Sequence, residues 1–316
     1  MHKKNHIEII ADPNDKGKRI DSFLSGQDIG LSRSRIQKLI KSGNIKVNGS
    51  EDITKSYIIE GTEKLTISNI DSFDNETKYC PQDIDIKIIF EDDYMIAVSK
   101  PPGMVVHPAP GNKSGTLLNA VLFHNDKVDS VKNVRSGIVH RLDKDTSGII
   151  LIAKDFQSHE SLSRLFRERK IRKTYIALVL GSFKEKTGLI DIPISRSKKN
   201  RKMMDVAADG RKSETEFRVL KNFNSCSLIE VYPKTGRTHQ IRVHFSHIGH
   251  PVIGDKTYGN KETEMIAESI GIRRHFLHAS GINFIHPFTG VQIDIRDELP
   301  EDLKNSIESI KLYGKQ

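Results

Sequence analysis

The stretch Gly137 to Asp155, "GIVHRLDKDTSGIILIAKD", holds the densest set of side chains able to do chemistry. A strand-like run at Ile138 and Val139 enters a turn carrying His140, Arg141, Asp143, Lys144, Asp145, Thr146, Ser147 and Gly148, and an apolar strand leaves it. Polar groups packed into a turn between two buried strands are a common way for a scaffold to present a reactive group. Cations flank Asp143 and Asp145, favouring the ionised carboxylate, which can serve as base, nucleophile or metal ligand. The same residue types also build ordinary turns by bonding to their own backbone. Composition and spacing alone do not choose between the two aspartates.

A second constellation is the crowding of His239, His244, His247 and His250 into twelve residues. His244 and His247 stand about one helical turn apart, a spacing open to metal chelation. No HExxH motif, no cysteine and no carboxylate before Asp255 completes a familiar ligand set, so hydrogen-bonded core or RNA contact is the better reading and no metal is expected.

Basic residues form the third. The 316 residues carry 50 Lys plus Arg against 41 Asp plus Glu, a formal charge of +9. The excess is clustered. Arg33, Arg35, Lys38, Lys41 and Lys46 fall between Leu31 and Ser50 with no acid, six basic residues lie in Arg164 to Lys173, and seven in Arg196 to Lys212. The last cluster, with Arg196, Lys198, Lys199 and Arg201 at its head, lacks apolar periodicity and reads as an exposed loop or hairpin that orders on a polyanion. From Asp71 to Asp85 the sign inverts, with five acids against Lys78. Localised basic clusters parted by an acidic stretch resemble the footprint of a polyanion partner, although solvated lysines alone can produce a positive balance.

Two cysteines, Cys80 and Cys226, provide neither a disulfide framework nor paired zinc knuckles, which favours a reducing compartment. No apolar run approaches the ~18 residues of a membrane span, and the basic start leads into an apolar segment too short for a signal peptide. A cytoplasmic protein is expected.

These residues need elements to hold them. Ile20, Phe23 and Leu24 recur at helical spacing. Ile36, Leu39 and Ile40 stripe a second helix that Gly43 ends, and Ile45, Val47 and Asn48-Gly49 suggest a strand entering a tight turn. Residues 67–83 read as an acidic linker. Beyond it, strands over Ile84–Phe90, Met95–Ser99, Gly148–Ala153, Thr174–Leu180 and Cys226–Tyr232 alternate irregularly with helices over Gln157–Arg169, Thr238–Ile248 and Asp302–Leu312. Asn260–Arg273 reads as a loosely anchored connection. The absence of strict strand-helix alternation predicts an α+β fold with a mixed, mostly antiparallel sheet over 84–312, behind a small module at 17–66.

The segment "LSRSRIQKLIKSGNIKVNG" resembles the S4-type RNA-binding module, which assigns Arg33, Arg35, Lys38 and Lys41 to RNA contact. "HRLDKDTSG" resembles the signature of the RluA-type family of pseudouridine synthases. "KPPGMVVHP" before it and "RKTYIALV", "KTGRTHQIRVH" and "HPVIGDKTYG" after it look like family segments in that family's order, so with the N-terminal module the resemblance spans nearly the whole chain.

The resemblance implies isomerisation of uridine in RNA to its C-glycoside, with Asp143 as the catalytic carboxylate and Arg242 as its basic partner. It implies Tyr175 as the ring that stacks on the target uracil, its hydroxyl a candidate for the later proton removal. It also implies Arg141 as a filler of the place the base leaves and Leu277 as the apolar closure of the pocket. Neither cofactor nor obligate protein partner is expected. Members with the N-terminal module mostly act on large-subunit ribosomal RNA, whereas several tRNA-acting members lack it, which makes the ribosomal substrate the leading expectation. A ribosome-assembly factor with subordinate catalysis and a metal-dependent hydrolase built on the histidines are the competing classes.

Overall fold

The computed structural model describes residues 6–27, 29, 31, 33–69, 80–109, 111–125, 128, 137–201 and 203–313. They form two compact units, one up to Asn69 and one from Cys80. The acids Asp71, Asp74 and Glu76 of the expected linker lie outside the described residues. No described helix is long and apolar enough to cross a membrane.

In the first unit, strands β1 (His6–Ile10), β2 (Ile45–Val47) and β3 (Lys64–Ser68) pair antiparallel in the order β1-β3-β2, with helices α1 (Ile20–Ser25) and α2 (Arg33–Lys41). The apolar stripe of α2 works as its spacing predicts: Ile36, Leu39 and Ile40 are buried with Ile20, Leu24, Ile45, Leu65 and Ile67. Gly43 ends α2 at φ 71°, and Asn48 and Gly49, at φ 50° and 85°, make the tight turn after β2. This unit exceeds 17–66 at both ends. β1 precedes Gly17 and pairs with β3, and Ile67 and Ser68 complete β3.

The second unit also starts before Ile84, because the Asn119 side chain donates to the Cys80 carbonyl at 2.8 Å and Gln82 N–H to the Asn119 carbonyl at 3.0 Å. Its strands are β4 (Lys87–Glu91), β5 (Met95–Lys100), β6 (Ser147–Ala153), β7 (Arg172–Leu180), β8 (Thr187–Asp191), β9 (Ile194–Arg196), β10 (Met204–Val206), β11 (Glu214–Asn222), β12 (Cys226–Pro233), β13 (Leu277–Ile285) and β14 (Gln292–Arg296). Its helices are α3 (Leu117–His124), α4 (Phe156–Arg167), α5 (Gln240–His247), α6 (Lys261–Ser269) and α7 (Glu301–Tyr313). Nine strands make one mixed sheet in the order β4-β5-β6-β13-β7-β12-β11-β8, with β14 added to β13, while β9 and β10 pair as a separate hairpin. Among the described strands only β6 and β13 pair in parallel. This is the α+β fold that the irregular strand spacing predicts.

Asn260–Arg273 is no loose connection. Asn260 caps α6 by accepting the Thr263 N–H at 2.9 Å, and Ala267, Ile270 and Ile272 enter the core beside Phe276. The Asn-x-x-Thr start and three spaced apolar residues were the signal. The expected strand at Ile138–Val139 reduces to one bridge, Ile138 to Ile152.

All seven residues of β6 are buried, so this strand has cover on both faces. Gly148 sits where β6 meets β13, at φ 112°, and a Cβ there would lie 2.3 Å from the Ala279 carbonyl oxygen. Gly148→Ala should therefore destabilise the full chain by about 2–4 kcal/mol through combined backbone strain and overlap. Gly249→Ala, at φ 81° with open space around it, should cost only about 1–2 kcal/mol. Urea unfolding of both variants checks this, and equal losses would show that the β6–β13 approach imposes no constraint.

Candidate active site

The turn after Leu142 is held almost entirely through its backbone. Thr146 N–H bonds the Asp143 carbonyl at 3.1 Å. The fully buried Lys100 ammonium donates to the carbonyls of Pro101, Met104 and Lys144 at 2.7, 3.0 and 2.9 Å, and Gly103 N–H adds a second bond to Lys144. Three carbonyls substitute for water around a charge that burial disfavours, and burial lowers the Lys100 pKa to about 7. Arg274 donates to the Asp145 carbonyl at 2.9 Å, Thr146 Oγ1 bonds His275 at 2.8 Å, and the His140 ring accepts the Leu151 N–H while stacking on Phe166. The Lys100-Pro-Pro-Gly turn thus clamps the Asp143 turn from the side. Asp145 has an exposed side chain and lies off the cavity that Asp143 lines.

Arg242, near the start of α5, spans two carboxylates. Its Nη1 donates to Asp143 Oδ2 at 2.9 Å, while Nε and Nη2 grip Asp255 at 2.7 and 2.8 Å. Asp255 is buried and accepts the N–H groups of Thr257 and Tyr258 at 2.9 and 3.1 Å. Burial opposes charge on Arg242, but its bonds and attraction to Asp255, then Asp143, outweigh that and hold it ionised above its ordinary range. Burial likewise opposes charge on Asp255, and Arg242 reverses it, leaving the carboxyl below its usual pKa. His239, immediately before α5, adopts left-handed φ 55° and brings Nε2 to 3.8 Å from Asp143 Oδ1. Its Nδ1 bonds the Tyr258 hydroxyl at 2.8 Å.

These groups open into a cavity of about 550 Å³ that Arg141, Tyr175 and Leu277 also line. Asp143, Tyr175, Arg242, Arg141 and Leu277, far apart in sequence, therefore meet at one place. Tyr175 on β7 and Leu277 on β13 pack in one apolar cluster. Burial and then the Asp143 charge push the Tyr175 hydroxyl above its ordinary pKa, so the phenol stays neutral near pH 7. Among the described residues Asp143 is the sole acid lining the cavity, against seven Arg and Lys. Among these is Lys173, whose ammonium bonds the Thr235 carbonyl at 3.3 Å and whose pKa burial lowers to about 8.

The remaining basic residues lie elsewhere. Arg33 forks onto the buried Asp21 at 3.0 and 3.1 Å while staying half-exposed, Arg35 is half-buried, and Lys38 and Lys41 occupy the exposed side of α2. Arg196, Lys198, Lys199 and Arg201 are exposed on the β9–β10 hairpin. The four histidines do not converge. His244 is buried between Thr215 and the Ile192 carbonyl, His250 stacks on Phe183, His247 is exposed, and only His239 reaches the cavity.

Sequence reasoning gave no role to Asp255, Tyr258, Lys173 or Lys100. The signal for Asp255 was available: a buried arginine facing one carboxylate needs a second partner, and Asp255 is the only acid within "HPVIGDKTYG".

Comparison with known proteins identifies the family. Residues 94–247 match the family described as RNA pseudouridylate synthase, and residues 18–61 match the S4 domain. An uncharacterised RNA pseudouridine synthase of Bacillus subtilis is 39% identical over 98% of this chain and 100% of its own length. A ribosomal large subunit pseudouridine synthase D of Zymomonas mobilis is 39% identical, covering 91% of this chain and 92% of its own. In fold, the human RNA pseudouridylate synthase domain containing 4 superposes with a TM-score of 0.55 at 24% identity, covering 71% of this chain and 92% of its own. The chain belongs to the RNA pseudouridine synthase family and is an isomerase of that class, with an S4 domain at its N-terminal end.

Lys173 is charged below about pH 8 and neutral above it, so the cavity loses a phosphate-attracting charge as pH rises. RNA affinity should weaken severalfold from about pH 7 to about pH 9, while Lys173→Met should bind more weakly at neutral pH and lack that component. Filter binding of both proteins to one RNA across this range checks it. Parallel pH curves would refute the role.

Proposed function

We propose that this chain converts specific uridines in large-subunit ribosomal RNA to pseudouridine, with Asp143 as the essential carboxylate. The observation that carries the reading is the single acid of a basic cavity, fixed by Arg242 and sharing that cavity with Tyr175. In the reaction the N1–C1′ bond breaks, uracil turns, and a C5–C1′ bond forms. The hydrogen on C5 leaves as a proton and N1 gains one, so atoms and electrons balance within the nucleotide. One carboxylate can start this by attacking C1′, by adding to C6 of the base, or by taking the C2′ proton, and none of these steps changes oxidation state overall.

The cavity's other residues fit the demands of that chemistry. The target nucleotide must leave its stack at a cost of a few kcal/mol, which an aromatic face returns in part. Tyr175 supplies this face, and Leu277 closes the apolar side. Arg141, exposed beside Asp143, fills the position that the base vacates. With the Tyr175 phenol held neutral, Asp143 is the better candidate for a base in the resting site. Support for the ribosomal substrate comes from the S4 match and from relatives named ribosomal large subunit pseudouridine synthase D, including one of Nitrosomonas europaea at 37% identity over 98% of this chain.

Asp143→Asn should retain folding and RNA binding while lowering pseudouridine formation at least about 100-fold, as loss of a catalytic carboxylate does. Quantifying pseudouridine on ribosomal RNA transcripts checks this, and near-wild-type turnover would refute the assignment. Mapping pseudouridine in ribosomal RNA and tRNA from cells with and without the gene tests the substrate.

The exposed β9–β10 cations are assigned to phosphate contact. Changing Arg196, Lys198, Lys199 and Arg201 together to Ala should reduce the slope of log Kd against log salt by up to about 3. An unaltered slope would remove the hairpin from the RNA interface.

A further inference from the structure

Tyr258 is not demanded by the isomerisation, yet it touches three parts of the site. Its backbone is anchored twice: its N–H donates to Asp255 at 3.1 Å, and its carbonyl accepts the Ser246 hydroxyl at 2.8 Å. From that base its ring lies against Arg242, whose guanidinium carbon is 5.1 Å from the ring centre. Its hydroxyl accepts the Met204 N–H at 2.8 Å and bonds His239 Nδ1 at 2.8 Å. Met204 opens β10 and pairs directly with Arg196 across the hairpin. One hydroxyl therefore joins the loop end of the basic hairpin's ladder to the imidazole that faces Asp143.

The proton positions give that junction a direction. The Met204 amide can only donate, so the tyrosine oxygen accepts there and its own proton is available to His239 Nδ1. The imidazole proton then sits on Nε2, the atom 3.8 Å from Asp143. His239 holds a left-handed backbone that surrounding contacts must maintain. The hairpin has three paired positions; its base is tied down by the Ile194–Arg211 bridge and the buried Ile194, whereas its loop end, at Arg196 and Met204, is held by the Tyr258 hydroxyl. A bound phosphate backbone would bias it.

We propose that Tyr258 is a positioning residue that couples RNA engagement of the β9–β10 hairpin to the orientation of His239 and Arg242 around Asp143. This rests on the function proposed above. Tyr258→Phe keeps the ring over Arg242 and removes both hydroxyl bonds, so it isolates the link.

The test is a double-mutant cycle in the full chain. It combines Tyr258→Phe with the fourfold alanine change at Arg196, Lys198, Lys199 and Arg201, reading kcat, KM and Kd on one large-subunit ribosomal RNA transcript. In the wild-type background the hairpin change should raise KM and also lower kcat about tenfold, whereas in the Tyr258→Phe background it should raise KM alone. The effects on Kd should likewise be non-additive by about threefold or more. Multiplicative losses in both kcat and Kd would overturn the coupling, since a merely structural tyrosine acts the same with or without the hairpin charges. If the wild-type chain forms no pseudouridine on the transcript, the functional reading falls. The Kd cycle then decides the coupling by itself: non-additivity supports it and additivity overturns it.

Discussion

A guanidinium shared between two carboxylates organises the catalytic unit. Arg242 is almost wholly buried, and no single partner would offset the loss of its hydration. Asp255 supplies the bidentate grip from the interior, and Asp143 accepts a hydrogen bond from Nη1 on the cavity side. Asp255 is satisfied in turn by two backbone N–H groups of its own turn, so the interior half of the pair is complete without solvent. The arrangement leaves a single carboxylate facing the cavity, already hydrogen-bonded in one orientation. Had Arg242 faced Asp143 alone, the pair would be free to rotate, and the carboxylate could not be aimed.

Holding Asp143 opposite Arg242 requires the turn and α5 to keep a fixed separation. The turn is a loop on the scale of its side chains but not of its backbone. Lys100 and Gly103 bond it from one segment and Arg274 and His275 from another, and β6 behind it is buried throughout. The parallel contact of β6 with β13 is short, only His278 and Ala279 against Ser147 and Gly148, before β14 takes over that edge of β13. That exchange of neighbours places the turn and Leu277 at the same end of the sheet, while β7 beside β13 delivers Tyr175. The strand order is therefore what brings together residues 143, 175, 242 and 277, which nothing local in the sequence relates.

Much of this was legible. The α2 stripe, the Gly43 stop and the Asn48-Gly49 turn follow from local rules, because each depends on residues within one or two turns of chain. The candidate carboxylate was narrowed by composition to Asp143 or Asp145 and chosen by resemblance; the structure separates them by exposure. What stayed hidden depends on distant partners. Asp255 lies 13 residues after Arg242, and the sequence pattern names it only as a carboxylate too far from the histidines to complete a metal site. Lys100 stands next to two prolines with nothing in the local sequence to mark it, although its ammonium binds a carbonyl 44 positions away. Of four crowded histidines, the one that reaches Asp143 was distinguished only by a backbone conformation. α6 was missed for another reason: its charged surface masked three buried positions whose capping signal was present.

The basic excess acquires its meaning from where the acids are. Inside the cavity the ratio is seven to one, far from the 50 to 41 of the whole chain, so the field that attracts phosphate is concentrated around the one negative group that would do chemistry. That field cannot discriminate among RNAs, since every phosphate is alike to it, and its strength falls with salt. Discrimination must come from the energetic cost of taking a nucleotide out of its stack and from the few groups that meet the base. A uridine in a weakly stacked or irregular segment leaves more cheaply, so the basic surface sets how long RNA stays while the cost of unstacking sets which uridine reaches Asp143.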